Sequence, residues 1–296
     1  MKNKKVLIIG GCGYIGSYLF DLLKDKYEVT TVDLENFGNF SNPKNIKMNF
    51  CKLNSKFINS HDVIIFLAGR SSVPLCENIM TTFNDNVVDF FKLIKKIKNK
   101  KFIYASSSCV YVSYTENLKT EKDFLKPNDG LTLSKTVLDY LMELTNIEFY
   151  GLRFGSVNGW SKNTRLDLMI NSMTFSGLKN KKLSVLNGQS HRPILSISDL
   201  GRSVEKIIES ENDNRGIYNV ASFNTTIFDA ATSVSEYLNC ELINNDLSLA
   251  RKGGNYDFCI SSEKFCKTFN FTFQDNMNSI ISSLVSNPYN DQWSKR

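Results

Sequence analysis

Short all-apolar runs alternate with stretches of helical spacing through the first 150 residues of the chain. Val6, Leu7, Ile8 and Ile9 form a run with the length and composition of a strand buried on both faces. After the glycines that follow, Ile15, Leu19, Leu22 and Leu23 recur at the spacing of a helix with one apolar face. Residues 29–32 predict a second strand ending at Asp33, and residues 63–67, 102–105 and 149–154 predict three more. Residues 87–97 have helical spacing and a lysine-rich end that suits a helix C-terminus, and residues 134–144 are helical again.

Strands alternating with helices imply a parallel sheet covered on both faces and joined by right-handed crossovers. The expected fold class is α/β, with a Rossmann, doubly wound parallel sheet over residues 1–157 and a smaller C-terminal α+β lobe over residues 158–296. The pattern becomes less regular after residue 154, residues 155–163 read as a loop, and no linker separates the halves. The boundary is therefore soft, and the segment at residues 194–200 is a candidate to return to the first domain. Further on, Phe269, Phe271 and Phe273 alternate as in a half-buried strand, which assigns them to core packing.

At 296 residues, 42% apolar and 22% charged, the chain has a globular composition with neither repeats nor low-complexity tracts. The formal charge of +6 suits an anionic substrate. Its lysine clusters at residues 95–101 and 179–182 read as solvated helix ends or turns. No basic stripe with interleaved aromatics appears, so no nucleic-acid partner is expected. Seven cysteines without a Cys-x-x-Cys pair point to reduced thiols in the cytoplasm. His61 and His191 are far apart and lack neighbours at metal-ligand spacing, so no metal is assigned. The apolar run at residues 6–9 is too short for the core of an export signal, and no segment approaches a membrane span. Ser106, Ser107 and Ser108 lack the Gly-x-Ser-x-Gly context of a nucleophile.

The clearest chemistry lies where the first strand meets the first helix. Gly10, Gly13 and Gly16, in a stretch that includes Tyr14 and Ile15, supply a tight turn, a backbone that can approach a pyrophosphate, and close packing of helix on strand. The helix N-terminus adds unpaired N–H groups and a partial positive charge. Asp33 follows Gly16 by seventeen residues at the end of the next strand, placed to accept hydrogen bonds from an adenosine ribose. A carboxylate there repels a 2′-phosphate, which favours NAD over NADP. Asp62, before a later strand, is open to two roles, an adenine contact or a turn.

These residues resemble the extended short-chain dehydrogenase/reductase family, the nucleotide-sugar epimerases, dehydratases and reductases. The wide glycine spacing is that family's form. Phe66-Leu67-Ala68-Gly69 resembles its His-Leu-Ala-Ala, Asn86-Val87 its Asn-Val helix start, and residues 104–111 the strand bearing its catalytic serine or threonine, which falls on Ser107 beside Ser108. Residues 152–159, including Ser156, are similar to the segment that opens the substrate lobe. Residues 164–171, with Arg165 and Asn171, and residues 191–199, with Arg192, are similar to segments that wrap the nucleotide. The resemblance implies NAD as cofactor, a nucleotide sugar as substrate, and a homodimer formed through helices near residues 84–98 and 132–145. It implies that Leu67, Ala68, Gly69, Asn86 and Lys135 face the cofactor, and that Arg192 and Arg251 hold the diphosphate, as planar guanidinium groups can. Either arginine also suits a surface ion pair.

The likeness breaks at one position. The family's Tyr-x-x-x-Lys pair sets a phenol and an ammonium one helical turn apart for proton transfer. Here Lys135 is present and Leu131 stands at the tyrosine position. Three outcomes are open: another group serves (Ser107, a water on Lys135, or Tyr111 or Tyr114 from the following loop), the chemistry has changed, or the chain binds NAD or a nucleotide sugar without turnover. The expected function is NAD-dependent modification of a nucleotide-activated sugar, by C4 epimerisation or a related oxidation or reduction, with non-catalytic binding as the alternative.

Overall fold

The apolar runs of the first half lie side by side at the centre of the chain's computed structural model, which describes residues 4–111, 117–211, 213–244 and 256–287. The strands are β1 (Lys5–Ile9), β2 (Glu28–Asp33), β3 (Ile46–Lys47), β4 (Val63–Phe66), β5 (Lys101–Ser107), β6 (Phe149–Phe154), β7 (Ser156–Asn158), β8 (Lys182–Val185), β9 (His191–Ser196), β10 (Gly216–Val220), β11 (Phe223–Thr226) and β12 (Glu241–Asn244). The α-helices are α1 (Tyr14–Leu23), α2 (Ser55–Asn59), α3 (Ile79–Phe83), α4 (Asp89–Ile94), α5 (Gly130–Glu143), α6 (Met169–Asn180), α7 (Ile197–Glu209), α8 (Ile227–Leu238), α9 (Glu263–Phe269) and α10 (Met277–Val285).

Seven strands form one parallel sheet in the order β10-β6-β5-β4-β1-β2-β3. Alternation across the strands explains the unbroken apolar runs. Val6, Ile8, Val63, Ile65 and Ile103 enter one buried cluster with Leu19 and Leu23 of α1. Leu7, Ile9, Ile64, Phe66 and Phe102 enter a second with Phe90 and Leu93 of α4 and Leu138 and Met142 of α5. Each fully buried side chain of this kind contributes about 1.5–3 kcal/mol of transfer free energy.

The second half divides its elements between two bodies. A three-stranded sheet, β11-β9-β7, and the pair β12-β8 stand apart from the large sheet. Ile170 of α6, Val234 of α8, and Ile280, Ile281 and Leu284 of α10 share a third buried cluster with Leu183 and Ile194. The segment considered for return splits: β9 stays in the small sheet, whereas α7 joins the first core through Ile197, Leu200, Val204, Ile207 and Ile208. Strand β10 then pairs with β6 as the edge of the large sheet.

Local expectations change in three places. Residues 155–163 are not all loop, because Ser156, Val157 and Asn158 pair in parallel with Ile194, Leu195 and Ser196. The helix expected over residues 87–97 begins earlier and contains a π-helical turn at Asn84–Val88. Phe271 and Phe273 lie outside any strand, yet both rings pack on Phe265, at centroid separations of 5.3 and 6.2 Å. Core packing, without sheet pairing, accounts for that alternation.

Candidate active site

The site lies along the carboxyl ends of the parallel strands, where the loops after β1, β2, β4 and β5 converge. In the first loop the three glycines meet different demands. Gly10 has φ +91°, and a Cβ there would lie 2.7 Å from the Ala68 nitrogen. A Cβ on Gly16 would lie 2.1 Å from the Gly10 carbonyl oxygen. Both glycines are therefore required by the protein's own backbone. At Gly13 a Cβ would meet only that carbonyl, at 3.4 Å, an ordinary contact. Gly13 is the N-cap of α1, no side chain caps the helix, and its first turn carries no acidic residue. The arrangement leaves space and partial positive charge where an anion can approach the backbone. The side chains of Tyr14 and Ile15 turn away from this loop, leaving only their backbone on it. The Tyr14 hydroxyl donates to the Gly159 carbonyl at 2.7 Å, inside the protein, and Ile15 packs on the first core.

Asp33 sits beside this loop at the end of β2. Its carboxylate accepts from the backbone N–H groups of Cys12 (3.1 Å) and Glu35 (2.7 Å), which orients it and leaves acceptor capacity for hydroxyls. Glu35, which sequence alone does not mark, adds a second carboxylate. Burial first, then the charges of Asp33 and Glu35, push the Cys12 thiol up to about 12. Asp62 instead ties the start of β1 to the segment that leads into β4. It precedes β4 at the opposite, amino end of the sheet and accepts from the Lys5 N–H at 2.8 Å.

Leu67, Ala68 and Gly69 follow β4, and the Leu67 N–H bonds the Ile9 carbonyl at 2.8 Å, holding this loop against the glycine turn. Asn86 reaches the site through that loop. Its side chain accepts from the Arg70 N–H (2.7 Å) and donates to the Arg70 carbonyl (3.0 Å) and the Ser134 hydroxyl (3.1 Å). Both its donors are thus used within the protein.

Strand β5 ends in Ser107, whose hydroxyl oxygen accepts from the Cys109 N–H at 3.2 Å. Ser108 is buried in the turn Ser108–Tyr111. Helix α5 starts from a reciprocal cap in which Asp129 accepts from the Thr132 N–H, and it carries Leu131 and Lys135 one turn apart. Lys135 is buried and donates to the Ala105 carbonyl of β5 at 2.7 Å. Burial pulls its pKa down to about 8, against the opposing charges of Asp139 and Cys76. Tyr111 does not substitute for a phenol at position 131. Its hydroxyl is committed to Arg153 (2.7 Å) and Asn219 (2.8 Å), and burial pushes it up to about 12. Tyr114 lies outside the described residues.

On the side of the second lobe, Arg165 pairs with Asp167 and reaches Ser71, so its charge is largely met internally. Asn171 joins the Gly159 N–H, at 2.9 Å, to the Arg165 carbonyl. Ser156, on β7, accepts from Asn158. Arg192 differs from Arg165: it is half-buried, donates to the His191 carbonyl at 2.8 Å, and among the described residues has no carboxylate at ion-pair distance. Burial lowers its pKa, with Cys109, Asp257 and Tyr256 opposing. Arg251 lies outside the described residues. No group of three or more His, Cys, Asp or Glu side chains able to hold a metal occurs among the described residues, and no helix there is long and apolar enough to cross a membrane.

Fold and loop together define a dinucleotide-binding α/β protein of the extended short-chain dehydrogenase/reductase type. The chain belongs to the NAD dependent epimerase/dehydratase family, whose sequence model matches residues 6–221. It is 28% identical over 196 residues to the UDP-glucose 4-epimerase of Mycoplasma pneumoniae, a match covering 55% of this chain and 58% of that protein. Its fold is that of the UDP-N-acetylglucosamine 4-epimerase from Methanobrevibacter ruminantium in complex with UDP-N-acetylmuramic acid (TM-score 0.84, 22% identity, 97% of this chain and 99% of the other). It is also that of the UDP-glucuronic acid 4-epimerase from Bacillus cereus in complex with UDP-glucuronic acid and NAD (TM-score 0.81, 20% identity, 95% and 98%). The cofactor of the family is NAD, and the residues here fit it: Gly13 leaves a cradle that a Cβ would fill, and Asp33 stands beside it.

Proposed function

We propose that the chain alters the configuration or oxidation state of a sugar carried on a nucleoside diphosphate, with epimerisation at C4 as the leading reaction. The observation that carries this reading is a pair of cations near the carboxyl end of β5 whose bonds within the described residues go only to backbone carbonyls: Lys135, on Ala105, and Arg192, on His191. An ammonium there can hold ribose or sugar hydroxyls, and a half-buried guanidinium can bind a diphosphate through two parallel hydrogen bonds. The Ser107 hydroxyl, which lies against both the backbone N–H and the thiol of Cys109, can turn to donate to a substrate oxygen. NAD, when bound, supplies the acceptor and donor of hydride.

Leu131 favours a second reading, in which the chain binds these molecules without converting them. Purified protein with NAD, incubated with UDP-, GDP-, CDP- and dTDP-sugars, separates the two. A new sugar product, or absorbance of the reduced nicotinamide, supports the enzyme; tight binding with neither outcome leaves a binding protein. Phe91 on α4 and Leu133 and Tyr140 on α5 are exposed apolar side chains, and Leu144 caps α5 in the open. They support pairing of two copies, for which sedimentation should give twice the chain mass.

A further inference from the structure

Position 131 lacks a phenol, yet a tyrosine from a distant part of the chain reaches the same end of α5. The Tyr256 hydroxyl donates a hydrogen bond to the Asp129 carboxylate, across 127 residues of sequence. Asp129 is the N-cap of α5, two residues before Leu131. Tyr256 also packs against the buried cluster of Val110, Tyr111, Leu125, Ala221, Phe258 and Ile260, which includes the turn that continues from Ser107. It is therefore held from two sides, by the start of the lysine-bearing helix and by the end of the serine-bearing strand. The start of α5 is fixed in turn against the segment Pro74–Cys76, since a Cβ on Gly130 would lie 2.7 Å from the Cys76 carbonyl oxygen.

We propose that Tyr256, backed by Asp129, replaces the phenol absent from position 131 and carries the proton of the substrate sugar's hydroxyl. This rests on the reading of the chain as a nucleotide-sugar enzyme. A phenol whose own proton is given to a carboxylate has oxygen lone pairs free to accept another proton. As the sugar O–H bond breaks, its proton passes to the Tyr256 oxygen while the Tyr256 proton passes to Asp129. The phenol ends unchanged and the carboxylate ends neutral. NAD, when bound, would be the oxidant that takes the C–H electron pair as hydride, so that loss of the hydroxyl proton to the Tyr256–Asp129 pair leaves a carbonyl. Reduction runs the same transfers backwards.

The relay differs from a free phenolate base. Burial first, then the hydrogen bond to Asp129, hold the Tyr256 phenol well above its usual range, with Cys109 and Cys76 acting the same way. Arg192 on β9 faces the group as a positive charge, and Asp257 adjoins it in sequence. Tyr256 on its own would be a poor base, and Asp129 is the final proton acceptor.

The test uses the full chain with tyrosine labelled by 13C at Cζ, the Tyr256 resonance being the one lost in Tyr256→Phe. Asp129→Asn should bring the titration of that resonance down toward the ordinary tyrosine range, whereas the wild-type resonance should stay that of the protonated phenol until alkali unfolds the chain. With NAD present, the best-binding compound among UDP-glucose, GDP-mannose, dTDP-glucose and CDP-glucose should shift the resonance, and its free nucleotide should not. Tyr256→Phe should lower kcat about 100-fold with KM little changed, and Leu131→Tyr in that background should restore part of the loss. Calorimetry on the wild-type chain separates two failures. Binding of NAD and nucleotide with an unmoved Tyr256 resonance, or unchanged kcat in Tyr256→Phe, overturns the proposal alone. Absence of that binding overturns the functional reading and the proposal with it.

Discussion

Arg153 on β6 and Asp139 on α5 form an ion pair inside the protein, Nε to Oδ2 at 2.8 Å, with side chains 5% and 2% exposed. The Tyr104 hydroxyl also donates to Asp139, at 2.9 Å, and Arg153 extends the network to Tyr111. Asp139 lies one turn beyond Lys135, so the pair fixes to the sheet the helix that presents the ammonium. Removing one partner leaves a buried charge unmet. Asp139→Ala should destabilise the fold by about 3–5 kcal/mol, whereas Asp139→Leu combined with Arg153→Met should cost less than the single change. Urea unfolding of the two variants checks this.

Lys135 makes stability depend on pH in a definite direction. Its folded pKa of about 8 lies below the ordinary value of 10.5. Between those values the unfolded chain binds more protons, so this group's contribution to stability rises with pH across the window. Below about pH 8 both states are protonated and the cost of burying the charge is complete. Lys135→Met should therefore be more stable than wild type at pH 7, with the advantage shrinking by pH 10. Equal differences in urea midpoint at the two pH values would show that Lys135 titrates normally.

The glycine loop separates packing from ligand binding. Gly16→Ala should cost about 3 kcal/mol, because its Cβ runs into backbone that cannot move aside. Gly13→Ala should cost less than about 1 kcal/mol as a helix cap, yet weaken NAD binding markedly. Thermal unfolding and calorimetric titration with NAD, run on both variants, give the four values needed.

Asp33→Ala tests cofactor choice. Loss of hydroxyl-accepting oxygens should weaken NAD about tenfold or more, a charged hydrogen bond being worth about 1.5–3 kcal/mol. NADP should weaken less, because a repelling charge has gone, and Glu35 should keep the preference from inverting fully. The ratio of the two dissociation constants is the measurement.

Strands β1 and β4 are legible in the sequence because burial on both faces leaves nothing polar in the run, β5 and β6 through their apolar and aromatic residues, and β2 through the β-branched Val29, Thr30, Thr31 and Val32. The glycine loop is legible because three separate physical demands fall within seven residues. Strand β7 is not, since three residues with one buried valine carry no period. The direction of Asp62 depended on which end of β4 it occupies, and proximity in sequence to an apolar run does not fix that. Asn86 was marked by its helix start, but its partners Arg70 and Ser134 come from separate loops and helices. Tyr256 gave no signal, because its relation to Asp129 exists only once the second lobe has closed over α5.

The edge strand β10 has a consequence for how the chain comes to be folded. It pairs with β6 from beyond the whole of the small β7-β9 crossing, so β6 presents an open row of N–H and C=O groups until Gly216–Val220 has left the ribosome. A chain truncated near residue 157 would keep that row exposed and lose α7 from its core, making an aggregating fragment in place of a free-standing nucleotide-binding unit.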